Sequence, residues 1–230
     1  MFPILKKEFK SYLMSPIGYI FVGLFLLMFS IFFIITIFQY NVVNFEYLFY
    51  NGATILTFVV PVLTMRMFSE ERKNGTEQLL LTSPRSITSI VLGKFFAAAL
   101  IMLFTEMFTM IYFAILKYFG EPSFIVALTT LGGFFLLSMA YISFGMFASS
   151  ITENQIIACV VTIGAFIVMW FLPALNTNFS SILKQFSLIN MFEKFPEGLV
   201  SISEIVTFVT FTVLFILLTI IVLQRRKSVK

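Results

Sequence analysis

The sequence predicts an all-α membrane protein with six transmembrane helices, and three observations support that prediction. The 230-residue chain is 60% hydrophobic and only 11% charged, with a mean hydropathy of +1.02. Soluble domains carry about a quarter charged residues, so this chain has more apolar surface than a water-soluble core can hide. Apolar segments of about 20 residues, the length that crosses the hydrocarbon layer, recur along it. Its basic residues are also divided unevenly between the connecting segments.

A short basic segment, residues 1–15, predicts an interfacial helix ahead of the first span. Its apolar side chains recur at helical spacing, and lysines with one serine occupy the opposite face. The apolar set is Phe2, Leu5, Phe9 and Tyr12 or Leu13, and the polar set is Lys6, Lys7, Lys10 and Ser11. Such a helix lies in the headgroup plane with its aromatic side chains in lipid. Pro16 and Gly18 permit a sharp turn into the first span. A loose charged tail is the alternative.

The six predicted spans are residues 17–38, 52–68, 90–116, 124–148, 156–172 and 205–223. The second and fifth are the weakest, because Pro61 lies inside one and the other is short and ends at Pro173. Neighbouring helices can satisfy the carbonyl groups that such a break leaves free. The first span has no cleavage site of small residues, so we expect a retained helix rather than a signal peptide.

The distribution of Lys and Arg predicts the orientation. With the N-terminus inside, twelve basic residues fall at the cytoplasmic face, and only Lys117, Lys184 and Lys194 fall outside. The positive-inside rule therefore places both termini, and the loop between the second and third spans, in the cytoplasm. The net charge of +4 has the same origin and gives no reason to expect nucleic acid.

The longest segment outside the spans, residues 174–204, is predicted to lie on the outer side. It is apolar and aromatic, so we expect short helices on or dipping into the outer leaflet rather than a flexible linker. We treat residues 1–230 as a single membrane domain, because no soluble segment interrupts the pattern.

The most polar segment is the loop of residues 69–86, SEERKNGTEQLLLTSPRS, called here the polar loop. We expect the second helix to continue into it through Arg66, Glu70 and Lys73, with modest pairs between residues four apart. Gly75 should end that helix, because glycine adopts the left-handed conformation of a helix stop without steric cost.

The second half of the polar loop predicts a further short helix. Thr76 would cap it and Glu77 would lie at the positive end of its dipole. Leu79, Leu80 and Leu81 follow before Pro84 ends the helix. An exposed apolar patch on a stiff loop indicates a surface that docks on a partner.

The residue content excludes most self-contained chemistry. The chain has no Asp and no His, and its single cysteine is Cys159, which removes the ligands of most metal sites and every Ser-His-Asp arrangement. The Gly93-Lys94 pair lacks the upstream glycine and the following hydroxyl of a phosphate-binding loop. We therefore expect no catalytic residue, no metal and no cofactor in this chain, and any ATP to be bound by another chain.

Glu106 lies in the middle of the third span. A carboxyl group at that depth is expensive, which makes it a candidate for a transport pathway or a conformational change. The alternative is a structural polar contact in which a protonated Glu106 bonds to Thr105, Thr109 or Tyr112.

The run EERKNGTEQLLLTSP resembles the loop between the second and third helices of ABC-2 type transporter permeases, which contains their coupling helix. Four further stretches are similar to the branch typified by the gliding-motility-associated ABC permease, and the resemblance covers essentially the whole chain. They are KKEFKSYLMSPIGYIF, PVLTMRMFSEE, VLGKFFAAAL and FEKFPEGLVSISEIVTFVTFTVLFILLTIIVLQRRK.

The resemblance implies a non-catalytic permease subunit of an ATP-driven exporter, with a fold like that of type V exporters, in a bacterial cell membrane. Two permease chains, identical or related, would sit on two nucleotide-binding subunits that hold ATP and Mg²⁺, and an accessory membrane subunit would join some complexes. Residues 2–15 would form the elbow helix, and 174–203 would contain the outer re-entrant region. The implied ATPase-coupling residues are Glu70, Glu71, Arg72, Lys73, Gly75, Thr76, Glu77, Leu79, Leu80 and Pro84. A passive channel or membrane scaffold is the alternative function.

Overall fold

The computed structural model describes residues 1–40, 45–83, 85–120, 122–171 and 187–228, and these ranges are almost entirely helical. The helices within them are α1 (Phe2–Met14), α2 (Pro16–Tyr40), α3 (Phe45–Thr64), α4 (Ser69–Lys73), α5 (Glu77–Leu81), α6 (Ile87–Phe108), α7 (Met110–Phe119), α8 (Phe124–Ile151), α9 (Gln155–Phe171), α10 (Leu188–Phe192) and α11 (Ile202–Ser228).

Five helical segments in the described part of the chain are long and apolar enough to cross a membrane. They are Pro16–Ile37, Phe45–Lys73, Ile87–Phe119, Phe124–Ile151 and Ile202–Ser228, which correspond to the first, second, third, fourth and sixth predicted spans. The predicted fifth span corresponds to α9, an apolar helix of 17 residues next to a range that is not described. The all-α membrane class is therefore confirmed, and the count of six spans stays a prediction.

The first helix, α1, packs against the bundle rather than lying wholly in lipid. Tyr12 is buried, and Ile4 and Phe9 are partly buried against the core, whereas the predicted lipid contact Phe2 is exposed. The sharp turn into α2 forms as predicted, since a Cβ at Gly18 would overlap the carbonyl group of Tyr12. Of the two residues that the sequence offers for the last lipid contact, Tyr12 meets protein because α1 lies close to α6, whereas Leu13 is exposed.

The sequence predicts that the second span continues as one helix into the polar loop, but the helix is broken there. α3 ends at Thr64, and residues 65–68 turn before α4 begins. The hydroxyl of Ser149 on α8 donates to the Met65 carbonyl at 3.0 Å, and it accepts from the amides of Phe68 and Ser69 at 3.1 and 3.2 Å. A side chain from another helix therefore satisfies the backbone groups that the break leaves free.

The third span is also divided, between α6 and α7, at Thr109. The Thr109 hydroxyl donates to the Glu106 carbonyl at 2.6 Å, and its amide donates to the same oxygen at 2.9 Å. Hydroxyl groups that bond back to a carbonyl of the preceding turn bend helices in this way.

Helix α8 lies at the centre of the bundle and contacts α3, α6, α9 and α11. Small residues allow these contacts, because a Cβ at Gly145 would overlap the side chain of Thr64, and one at Gly133 would overlap the ring of Phe195. Buried aromatic rings fill the space beside α8: Phe134 contacts Phe49 with ring centroids 5.0 Å apart. The polar loop and the C-terminus of α8 lie at one end of the bundle, called here the loop end.

Candidate functional site

The polar loop forms two short helices joined at Gly75. α4 closes with the Asn74 amide donating to the Glu70 carbonyl at 3.0 Å and the Gly75 amide donating to the Arg72 carbonyl at 3.1 Å. Gly75 has a φ of 72°, which confirms the predicted left-handed stop. A Cβ there would meet no atom within 4 Å, so backbone conformation rather than space requires the glycine.

Thr76 does not cap α5, contrary to the prediction. Its backbone is already helical, with φ −77° and ψ −9°, whereas capping residues are extended so that the hydroxyl reaches the free amides. The Thr76 hydroxyl instead donates to the Glu71 carbonyl at 3.2 Å. Thr76 therefore bonds the second short helix back to the first.

The predicted patch of three exposed leucines reduces to one protruding side chain among the leucines that are described. Leu79 is 73% exposed. Leu80 is partly buried and packs against the core, because α5 lies against the bundle along one side. The side chain of Leu81 and the whole of Pro84 lie outside the described residues.

Lys94 on α6 joins the loop to α1. Its side chain is only 5% exposed, and its Nζ lies 2.8 Å from Glu71 Oε1 and 3.5 Å from Glu8 Oε1. The ammonium also lies over the Phe68 ring, 5.3 Å from the centroid. A buried cation needs such partners, because leaving it unpaired away from water costs several kcal/mol.

A second group of charges ties the loop to the ends of α8 and α11. Arg72 Nη2 lies 2.8 Å from Glu153 Oε1, and Nη1 donates to the Ile151 carbonyl at 2.8 Å. Arg226 Nη1 lies 2.9 Å from Glu77 Oε1, and Nη2 donates to the same Ile151 carbonyl at 3.3 Å. These five residues are called here the arginine cluster. Glu77 is therefore paired with α11, in addition to lying in the first turn of α5 as predicted.

Two other charged residues of the loop behave more simply. Glu70 pairs with Arg66 at 3.0 Å, the predicted contact between residues four apart. Lys73 is exposed and forms no ion pair within the described residues. The structure thus brings together most of the predicted loop residues, but it binds their charges to neighbouring helices.

A cavity of about 500 Å³ lies between α1 and the polar loop. Its lining mixes both signs of charge, including Lys7, Glu8 and Arg66, with Tyr12 and Leu79. Burial, reinforced by the nearby Glu8 carboxylate, raises the pKa of Tyr12 well above its ordinary value. The phenol therefore stays neutral beside the cavity at any physiological pH.

Sequence reasoning missed the partners of the loop, of which Lys94 and Arg226 are the most important. The sequence indicates both as basic residues that set the orientation, and Lys94 also as part of a Gly-Lys pair that does not match a phosphate-binding loop, but neither as a partner of the loop. Lys94 had a local signal, since an isolated cation among apolar residues needs a partner. Arg226 had none, because Glu77 is 149 positions away along the chain.

Glu106 is 97% shielded from solvent, and neither of its carboxyl oxygens has a hydrogen-bond partner among the described residues. The three hydroxyls predicted to bond to it are engaged elsewhere. Thr105 donates to the Ile101 carbonyl at 2.8 Å, Thr109 donates to the Glu106 carbonyl, and Tyr112 lies 2.7 Å from the Ser30 hydroxyl. Glu106 also lies about 30 Å along α6 from its start at the loop end, given a rise of about 1.5 Å per residue.

The end of the bundle remote from the loop contains the described part of the predicted outer segment, residues 187–204. Residues 172–186 are not described, but α10 follows them, and Phe192 and Phe195 are buried within the bundle. Lys194 pairs with Glu204 at 2.6 Å. This part of the predicted outer segment therefore packs into the protein rather than along a leaflet.

The described part of the chain contains no cluster of Cys and Glu side chains that could hold a metal ion. Its long apolar helices and its bundle of buried aromatic rings define a multi-pass membrane protein. The family of ABC-2 family transporter proteins matches residues 36–223, which is well over half of the chain and includes the polar loop. The chain belongs to that family. No curated protein matches it.

Proposed function

We propose that this chain is the membrane-spanning permease subunit of an ATP-driven exporter, and that its polar loop docks on a separate ATP-binding subunit. Membership of the family supports the transport role in general terms. The loop supports the docking role, because Leu79 protrudes from a surface whose neighbouring charges are held by the bundle. ATP and Mg²⁺ belong to the partner, and this chain performs no catalysis.

The docking surface combines an apolar centre with a polar edge, which is the usual composition of a protein interface. Leu79 supplies the apolar side chain, and the exposed Lys73 and Gln78, which precede it in the sequence, supply polar ones. When two ATP-binding subunits close on nucleotide, a loop bound to them moves with them. The ion pairs of the loop then carry that movement into the transmembrane helices.

The same proposal assigns the loop and both termini to the cytoplasm, where the basic residues concentrate and ATP is available. It includes a second permease chain, identical or related, since the apolar side chains exposed on α2 and α11 are available for another helix or for lipid. The four stretches similar to the gliding-motility-associated branch support that branch, a bacterial membrane and an accessory subunit as further parts of the proposal.

Replacement of Leu79 by Asp tests the docking surface. The chain is co-expressed with a candidate ATP-binding subunit from the same organism, and the amount of that subunit recovered with the tagged permease is measured. Leu79→Asp should reduce the recovery by about tenfold or more, because an apolar contact at the centre of an interface is worth about 1–2 kcal/mol or more. Leu79 is a better probe than Leu80, whose replacement would also disturb the core.

Leu199→Asp is the matched control. Leu199 is 62% exposed on the segment remote from the loop, so the same change there should leave the recovery of the ATP-binding subunit unaltered. Equal recovery with Leu79→Asp and the unaltered chain would contradict the docking role of Leu79. If the unaltered chain recovers no ATP-binding subunit and conducts solutes alone in liposomes, the passive channel replaces this proposal.

A further inference from the structure

The carbonyl of Ile151, the last residue of α8, accepts hydrogen bonds from two arginines that come from opposite directions. Arg72 reaches it from the polar loop, and Arg226 reaches it from the last turn of α11. The final carbonyls of a helix have no partner within the helix and carry the negative end of its dipole. Two guanidinium groups are well suited to that position.

Each guanidinium uses its other terminal nitrogen to hold a carboxylate. Arg72 holds Glu153, just beyond α8, and Arg226 holds Glu77 on α5. The planar fork of arginine allows these paired contacts, which a lysine could not reproduce. The Arg226 side chain is 23% exposed and that of Glu77 is 13% exposed, so water and salt weaken this pair less than an ordinary surface pair.

These contacts give the loop mechanical connections that the chain itself does not provide. Along the chain, the polar loop is continuous with α3 on one side and α6 on the other. The arginine cluster also connects the loop to the junction between α8 and α9 and to the C-terminal end of α11. Helix α11 is remote in sequence, since it begins 121 residues after the last residue of α5. A movement of α5 would therefore act on α11 directly.

We propose that Arg226 is a positioning residue through which displacement of the polar loop reaches the last span, α11. This inference rests on the proposed function, because the displacement is attributed to a docked ATP-binding subunit. Arg226 acts through Glu77 and the Ile151 carbonyl and does not itself contact the partner.

The neighbours of Arg226 supply the control. Arg225 and Lys227 lie on the same turn of α11, and neither forms an ion pair within the described residues. Arg225 lines the cavity of about 430 Å³ between the loop and α11, which leaves Lys227 as the cleaner comparison. Lys227→Glu makes the same change of charge as Arg226→Glu on an exposed side chain.

The test uses the complete complex with its ATP-binding subunit, reconstituted in liposomes, and compares four permease variants. Arg226→Glu should still recover the ATP-binding subunit but lower the ATP hydrolysis rate of the complex by about fivefold or more, the range of typical coupling between sites. The charge exchange Glu77→Arg with Arg226→Glu should restore part of the rate, since it restores the ion pair but not the hydrogen bond from Arg226 to the Ile151 carbonyl. Arg226→Lys should lie between, and Lys227→Glu should match the unaltered chain.

A second measurement needs no ATP-binding subunit. The partly buried native cysteine is first removed by Cys159→Ser, and a new cysteine is introduced by Gln78→Cys at an exposed position of α5. A spin label attached to this cysteine reports the local mobility of the loop. Arg226→Glu should make the label more mobile, the charge exchange should reverse that change, and Lys227→Glu should have no effect.

Unchanged label mobility with Arg226→Glu would overturn the inference, and so would a hydrolysis rate that the charge exchange fails to raise above that of Arg226→Glu alone. Failure of the proposed function has a different signature. In that case the unaltered permease recovers no ATP-binding subunit, although label mobility still responds to Arg226→Glu. The role of Arg226 in transmission would then be rejected together with the proposed function.

Discussion

The two ends of the helical bundle hold their connecting segments by different kinds of contact. At the loop end, charged side chains of the loop bind cations and carbonyls on other helices, as in the pairs of Glu71 with Lys94 and Glu77 with Arg226. At the remote end, the segment around α10 is held mainly by buried rings, with Phe192 stacked near Phe195 and in edge contact with Phe134. The loop end is therefore held mainly by ion pairs, and the remote end mainly by contacts between apolar rings.

This difference in contacts determines how easily the connecting segment at each end can be displaced. The attraction between opposite charges falls off gradually with distance, so an ion pair can lengthen or exchange partners during a displacement. Close-packed rings lose contact energy with any displacement, because a packed core is not continuously deformable. The loop end is therefore suited to movement, and the remote end to holding the helices in place.

Phe134→Ala should lower the free energy of unfolding by the largest amount, because it removes the ring that joins the remote segment to the helices. The side chain is fully buried and contacts the rings of Phe25, Phe29, Phe49 and Phe192. Loss of a buried Phe lowers the free energy of unfolding by about 3–5 kcal/mol. The measurement is unfolding in detergent micelles followed by circular dichroism.

The exposed Phe2 provides the control for that substitution. Phe2→Ala should change the free energy of unfolding by less than about 0.5 kcal/mol, as surface replacements usually do. Similar stability losses for Phe134→Ala and Phe2→Ala would show that the remote end is not held by its rings.

Lys94→Met should have the next largest effect, and it acts at the loop end. It leaves the carboxylates of Glu71 and Glu8 without their shared cation. Breaking a fully buried pair costs about 3–5 kcal/mol, and we expect about 2–3 kcal/mol here because both carboxylates retain some contact with water. The second change Glu71→Gln should recover part of the loss, since it removes one uncompensated charge.

Lys73 is the matched control for Lys94, since it is a lysine of the same region without an ion pair in the described residues. Lys73→Met should alter the free energy of unfolding by less than about 0.5 kcal/mol. If Lys94→Met is no more destabilising than Lys73→Met, the loop is not held through Lys94.

The features that could be predicted from sequence are those with a local physical cause. The spans follow from runs of about 20 apolar residues, and the stop at Gly75 follows from the freedom of glycine at positive φ. The pair of Arg66 with Glu70 follows from helical spacing alone. Each of these signals lies within a few residues of its effect, so no knowledge of the tertiary structure is needed.

The features that escaped prediction depend on residues distant in the chain. The break after Thr64 requires Ser149, whose hydroxyl is more than 80 positions away from the Met65 carbonyl. The docking of α1 on α6 depends on the small size of Gly93, where a Cβ would lie 2.9 Å from the Ile4 side chain. A pattern of polar and apolar residues specifies which face of a helix is buried, but it does not specify the neighbour.

Lys194→Ala should have the smallest effect on the free energy of unfolding. It tests the same kind of lysine–glutamate pair as Lys94, but with a lysine that is exposed to water. Lys194 lies 2.6 Å from Glu204 Oε1, a shorter distance than that between Lys94 and Glu71, yet its side chain is 55% exposed. Exposed ion pairs contribute about 0–1 kcal/mol, and here only the lysine is exposed, since the Glu204 side chain is 6% exposed. We therefore expect the free energy of unfolding to fall by about 1 kcal/mol, and a loss as large as that of Lys94→Met would mean that the remote end also depends on charge.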